Sequence, residues 1–162
     1  MKGLERSLGA YHADTLVMMY NMANFLRGQG KLDEALVLLR RALKGYEATL
    51  GVDHPDALDT MDNMAVLLSR QNKPDEALPL YERVLKGREQ SLGADHPETL
   101  NTVTNMAIFL ESQNKLDEAL PLYERALKGY KASLGAGHAH TLFVMNNLGS
   151  LLSKQSKPES RR

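Results

Sequence analysis

The sequence predicts an all-α protein, a stack of paired helices repeated along the chain. Three observations carry this expectation. Residues 92–133 coincide with residues 50–91 at 27 of 42 positions, and self-similarity at one fixed spacing marks a stacked-repeat architecture. The landmarks keep register from end to end: Leu8-Gly9, Leu50-Gly51, Leu92-Gly93 and Leu134-Gly135, then His12, His54, His96 and His138, then Asn21, Asn63, Asn105 and Asn147. Within each copy the apolar residues recur at helical spacing, as at Leu58, Met61, Met64, Ala65 and Leu68.

Taken in order, the chain opens on a partial copy. Lys2-Gly3 to Leu8-Gly9 aligns with Lys86-Gly87 to Leu92-Gly93, so residues 1–9 read as the tail of a preceding helix. Three full copies follow, at 10–51, 52–93 and 94–135, and a half copy occupies 136–162, all within a single repeat domain. Each full copy reads as two amphipathic helices. The first helices are expected at 14–27, 55–70, 97–112 and 140–154, and the second at 32–49, 74–91 and 116–133, giving seven main helices. The second helix carries its own apolar stripe, Ala77, Leu78, Tyr81, Val84 and Leu85. Small residues at Ala23, Ala65 and Ala107, and at Ala35, Ala77 and Ala119, let the paired helices approach closely. In the last copy Ser160-Arg161-Arg162 replaces the apolar start of a second helix. The final helix therefore carries Leu142, Met145, Leu148, Leu151 and Leu152 without its usual cover.

The punctuation agrees. Gly30, Asn72 and Asn114 fall between the two helices of a pair, and Gly and Asn tolerate the left-handed conformation that ends a helix. Pro74 stands at a first helical position, where its missing N–H costs nothing. Pro55 and Pro97 open first helices, with Asp56 and Glu98 near the positive end of the helix dipole. Pro79 and Pro121 each remove one intrahelical bond, and a slight bend is expected there.

Composition narrows the function. Lys plus Arg and Asp plus Glu are both 20, so the formal net charge is zero, which argues against a broad basic surface for nucleic acid. No run reaches the length of a membrane-spanning helix, and the N-terminus lacks the apolar core of a secretion signal. The chain has no Cys, hence no disulfide and no thiolate metal site. The expectation is a cytoplasmic protein without cofactor or metal.

The spacing of small and large residues resembles the tetratricopeptide repeat. Met61-x2-Met64-Ala65-x2-Leu68 is followed by Ala77-x3-Tyr81; Val103, Met106, Ala107, Leu110, Ala119 and Tyr123 repeat the pattern, as do Met19, Met22, Ala23, Leu26, Ala35 and Leu39. The longer period, with LGADHPETL opening a copy and QNKLDEALPLYERAL completing it, is similar to the repeats of kinesin light chain and its relatives. The resemblance implies a right-handed α-solenoid of tandem helix hairpins, about three and a half repeats long, whose first helices line a concave groove. It implies a protein or peptide partner held in that groove, and no enzyme activity. Carried onto this sequence, the groove positions are Val17, Tyr20, Asn21, Asn24 and Arg27 in the first copy, and Asp59, Asp62, Asn63, Val66 and Arg70 in the second. The third copy gives Asn101, Thr104, Asn105, Ile108 and Glu111, and the last gives Phe143, Asn146, Asn147, Ser150 and Lys154. These positions vary between copies while the core positions stay fixed, as a recognition surface would show.

Three ladders remain to be read. Asn21, Asn63, Asn105 and Asn147 stand mid-helix although Asn is a mediocre helix former. Their amides offer donor and acceptor to an extended peptide, or else bond one repeat to the next. The His ladder is read as turn residues ahead of each first helix. Repeats stack about 8–10 Å apart, whereas zinc needs all its ligands within about 2.0–2.3 Å. No nucleophile accompanies Asp53-His54 or Asp95-His96. Met19, Met22, Met61, Met64, Met106 and Met145 follow the apolar period and are expected to fill the core. Charge in the groove is mixed, with Asp59, Asp62 and Glu111 among Arg27, Arg70 and Lys154, which fits a partner that is neutral or carries a few basic residues. The competing reading is an assembly piece, or a fragment of a longer solenoid, that self-associates through its unlike ends.

Overall fold

The computed structural model describes Gly9 and residues 11–157. It contains α1 (Ala13–Gly28), α2 (Leu32–Leu50), α3 (Pro55–Arg70), α4 (Pro74–Leu92), α5 (Pro97–Ser112), α6 (Leu116–Leu134) and α7 (Ala139–Gln155). Every boundary lies within one residue of the sequence expectation, and no strand occurs among the described residues. The expected helix tail at 1–8 and the closing Ser160-Arg161-Arg162 lie outside the described residues. The chain divides into two compact units, Met1–Gly87 and Arg88–Arg162, with the division inside α4.

Each first helix begins on a histidine. His12, His54, His96 and His138 hold an extended backbone (ψ between 139° and 146°), and the Nδ1 of each accepts the N–H two residues on, at 3.1–3.2 Å. The His ladder is thus a set of helix caps, which satisfies one otherwise orphaned N–H per helix. The hairpin turns follow the expected chemistry. Gly30, Asn72 and Asn114 take φ of 78°, 57° and 60°. The N–H groups of Lys31, Lys73 and Lys115 then bond back to the carbonyls of Leu26, Leu68 and Leu110 at 2.9 Å, closing each helix end. Helices α4 and α6 continue through Pro79 and Pro121, both on exposed faces.

In the first unit Leu16 and Met19 of α1, Ala42 and Tyr46 of α2, Ala57, Leu58 and Met61 of α3 and Val84 of α4 form one buried cluster. Gly87 of α4 sits against Leu58: a Cβ there would meet the leucine Cδ2 at 2.8 Å. In the second unit Leu100, Val103 and Phe109 of α5, Tyr123 and Ala126 of α6 and Val144 and Leu151 of α7 are all buried, and α6 packs against both α5 and α7. All six expected small positions are buried.

Polar contacts hold neighbouring hairpins in register within each unit. Gln71 donates to Asp33 at 2.6 Å, and Gln155 donates to Asp117 at 3.1 Å in the corresponding place of the other unit. Arg83 reaches Glu47 at 2.8 Å and Arg125 reaches Glu89 at 3.0 Å, so these arginines pair across hairpins as well as facing solvent. Such part-exposed pairs contribute about 0–1 kcal/mol each and serve register more than stability.

The methionines divide. Met19, Met61, Met64 and Met106 are buried as expected, but Met22 and Met145 are 41% and 43% exposed, which corrects their assignment to the core. Periodicity identifies the face of a helix but not whether anything packs on it. On α1 the face bearing Met18, Met22 and Phe25 is open, although its counterparts Thr60, Met64 and Leu67 in α3 are buried. On α7 Leu142 and Leu152 are open beside Met145, as expected for a helix without its cover, whereas Leu151, expected among the uncovered residues, is buried on the opposite side.

Candidate functional site

The expected groove positions project from one face of each first helix, because residues three and four apart share a helix face. In the first unit this face carries Val17, Tyr20, Asn21, Asn24 and Arg27 on α1 and Asp59, Asp62, Asn63, Val66 and Arg70 on α3. Asn63 is drawn into the stack. Its Nδ2 donates to the Tyr20 hydroxyl at 2.7 Å, and its Oδ1 accepts from Arg27 at 3.3 Å. Asp62 is only 7% exposed, and its charge, after burial, helps hold the Tyr81 hydroxyl far above the ordinary tyrosine range. Asp59 lies in a small cleft of about 60 Å³ with Tyr20, Tyr46 and Asp56.

In the second unit five of the expected residues come together. Asn101, Thr104, Asn105, Ile108 and Phe143 line a cleft of about 320 Å³ between α5 and α7, completed by Tyr130, His140 and Val144. Thr104 is buried, its hydroxyl donating to the Leu100 carbonyl at 2.9 Å, so it shapes the cleft floor. Phe143 is 51% exposed and Ile108 is open at the rim. The His140 ring stacks on Tyr130 with centroids 5.5 Å apart and on His138 at 5.2 Å. Burial raises the Tyr130 hydroxyl above its ordinary value. At the far end Lys154 pairs with Glu111 at 3.7 Å, which neutralises that part of the face, and the same glutamate, after burial, pushes Tyr123 well upward. Asn146 and Ser150 are exposed on α7.

The four asparagines therefore differ. Asn63 is committed to Tyr20 and Arg27, whereas the side chains of Asn21 and Asn105 bond to no described residue, and the buried Nδ2 of Asn147 likewise lacks a partner. The amides of Asn21 and Asn105, both reached by solvent, thus keep their donor and acceptor available.

Several lining residues escaped the sequence reading. Tyr46 and Tyr130 come from second helices and reach the clefts beside the first helices. Arg88 shares their register in the repeat; it is 6% exposed and donates to the Thr102 hydroxyl at 2.8 Å. The signal was present as the 42-residue series Tyr46, Arg88, Tyr130, in which the second copy departs from the other two. Among the described residues no three His, Asp or Glu side chains gather as a metal ion would need, and no helix is long and apolar enough to cross a membrane.

Capped helix hairpins repeated at one spacing, with small residues at their crossings and one variable face on the first helices, define a helical-repeat protein, a class that generally mediates protein–protein interaction. The Tetratricopeptide repeat family model matches residues 14–90, 71–132 and 98–160, and the chain belongs to that family. No curated protein sequence matches it. Among solved structures it is similar to BtubC (BKLC) from P. vanneervenii, at 18% identity and a TM-score of 0.81, over 87% of this chain and 56% of that one. The chain thus spans little more than half the length of BtubC. It is also similar to a Podosopora anserina putative kinesin light chain with nearly identical TPR-like repeats, at 22% identity and a TM-score of 0.79, over 89% and 68% of the two chains. A single-substitution variant of that Podosopora anserina protein aligns at 21% identity and a TM-score of 0.82, over 97% and 74%. At these identities the likeness concerns the fold alone.

Proposed function

We propose that the chain is a non-enzymatic interaction module, acting in the cytoplasm, that holds an extended segment of a partner protein against its first-helix face. The observation that carries this reading is the cleft of about 320 Å³ lined by Asn101, Asn105, Ile108, Tyr130 and Phe143. It combines exposed apolar side chains with an amide that bonds to no described residue, beside a pair of charges that cancel. Main-chain amides of an extended peptide would find donor and acceptor at Asn105, and apolar side chains would find Ile108 and Phe143. Asp59, partly open to solvent where Asp62 is buried, adds a preference for neutral or basic residues. A randomised display library of 12-residue peptides selected on the intact chain tests the proposal. Selected peptides should bind the wild type and lose at least tenfold in affinity to the variant Asn105→Ala with Phe143→Ser. Equal binding to both would sink the proposal.

A further inference from the structure

Helix α7 differs from the other first helices in its charge. Residues 139–153 include no Asp, Glu, Lys or Arg, whereas α3 carries Asp59 and Asp62 and α5 carries Glu98 and Glu111 along the same stretch. The first charge on α7, Lys154, is paired with Glu111 at 3.7 Å. One side of the helix turns inward, where Val144 and Leu151 are buried. The other side bears Leu142, Met145, Gly149 and Leu152, spaced three, four and three residues apart and all exposed. That spacing is the a/d stripe of a coiled-coil seam, which buries itself against one facing helix. A Cβ built on Gly149 would meet nothing within 4 Å, so the stripe has an open notch at that point.

We infer that this face of α7 is the contact surface for a second copy of the chain, the two α7 helices lying antiparallel about a twofold axis. The stripe reads alike from either end. Leu142 and Leu152 share one midpoint with Met145 and Gly149, at position 147. In an antiparallel pair centred there, Leu142 faces Leu152 of the partner subunit, and Met145 faces Gly149 of the partner subunit. Large then meets small, because the flexible thioether side chain enters the notch that glycine leaves. A twofold contact demands this self-complementarity, with residue i meeting j and j meeting i. The exposed positions flanking the stripe are Asn146 and Ser153, so two identical faces can meet without setting like charges together. The open face of α1 offers no such notch, since Met18, Met22 and Phe25 are all large. A stripe of three helical turns falls short of the roughly 1,200–2,000 Å² of a stable interface, so the dissociation constant is expected at about 10–500 µM. This contact is distinct from the peptide-binding groove, and neither needs the other.

Sedimentation equilibrium of the intact chain, from about 10 µM to about 1 mM, tests the inference. The mass should rise from 18.0 kDa and level off at two copies. Met145→Glu sets a charge in each copy at the centre of the contact and should raise the dissociation constant at least tenfold, with helix content unchanged by circular dichroism. Met22→Glu, on the open face of α1, should leave it unchanged. Since the chain has no Cys, the register can be read by disulfide trapping. A mixture of Leu142→Cys and Leu152→Cys chains should crosslink under mild oxidation, and either variant alone should not. Like positions in the antiparallel pair lie about 15 Å apart, whereas a disulfide needs Cα atoms within about 7 Å. A monomer throughout the concentration range, growth past two copies, or loss of association on Met22→Glu would overturn the inference. So would undiminished association of Met145→Glu, or either cysteine variant alone crosslinking as well as the mixture.

Discussion

Each first helix opens on a histidine, where Asn, Asp or Ser is the usual choice. The ring serves because Nδ1 lies as far from the backbone as a short carboxylate oxygen does, and can accept the same N–H. The hydrogen bond also fixes the tautomer: Nδ1 carries no proton, and the hydrogen sits on Nε2. His96→Ala should therefore destabilise the chain by about 0.5–2 kcal/mol, the usual cost of a lost N-cap, whereas His96→Asp should stay near wild type. Urea denaturation followed by circular dichroism distinguishes them, and an alanine variant as stable as the aspartate variant would deny the cap any energetic role. The ladder also shows what sequence alone conveys at this scale. The recurrence of His before each helix identified it as a turn residue, but the acceptor role depends on a ring orientation that no spacing encodes. Likewise Asn63 looked equivalent to Asn105, and differs because Tyr20 and Arg27, present only in the first copy, reach it.

Among the helices, glycine marks where two of them cross. Gly129 of α6 faces Leu100 of α5 so closely that a Cβ would lie 2.5 Å from the leucine Cδ1, and Leu100 is fully buried and has nowhere to turn. Gly149 of α7 meets nothing within 4 Å, although its counterparts Ala65 and Ala107 are sealed in their hairpins. The same substitution should thus have opposite signs. Gly149→Ala gains helix propensity and should stabilise by about 0.5–1 kcal/mol. Gly129→Ala gains the same propensity but overpacks the crossing, a cost of about 1–3 kcal/mol, and should be net destabilising. Thermal melts of the two variants check this, and a stabilising Gly129→Ala would show that the crossing can open. Helix boundaries were legible in the sequence because Pro55, Pro97, Asn72 and Asn114 are residues whose backbone restrictions act locally. The first-helix share of the 320 Å³ cleft was legible for a similar reason, since face position follows from helical period. The contribution of Tyr46 and Tyr130 was not, because it depends on how far a second helix turns its inner edge toward the first.

Across the molecule, stability in a repeat array comes from each unit and its neighbours, so a face without a neighbour weakens everything next to it. The open face of α7, with Leu142, Met145 and Leu152, corresponds to Leu100, Val103 and Leu110 of α5, which α6 buries. Periodicity identifies the face these residues share but not what packs on it. Apolar surface of this kind either binds its own counterpart or is covered by another helix. Extending the chain with a helix of the Pro74–Leu92 sequence, joined through the Gln71-Asn72-Lys73 turn, supplies that cover. Burying a Leu or Met side chain fully is worth about 1.5–3 kcal/mol, and these three are already half covered, so a net gain of about 2 kcal/mol is expected after the ordering cost. For a chain of this size that raises Tm by about 4–8 °C. The extended chain should also sediment as a monomer at concentrations where the parent, if its ends attract, grows in mass. A control helix with Ala77, Tyr81 and Val84 changed to Ser should do neither. An unchanged Tm for the apolar extension would mean that the α7 face is already satisfied within the chain.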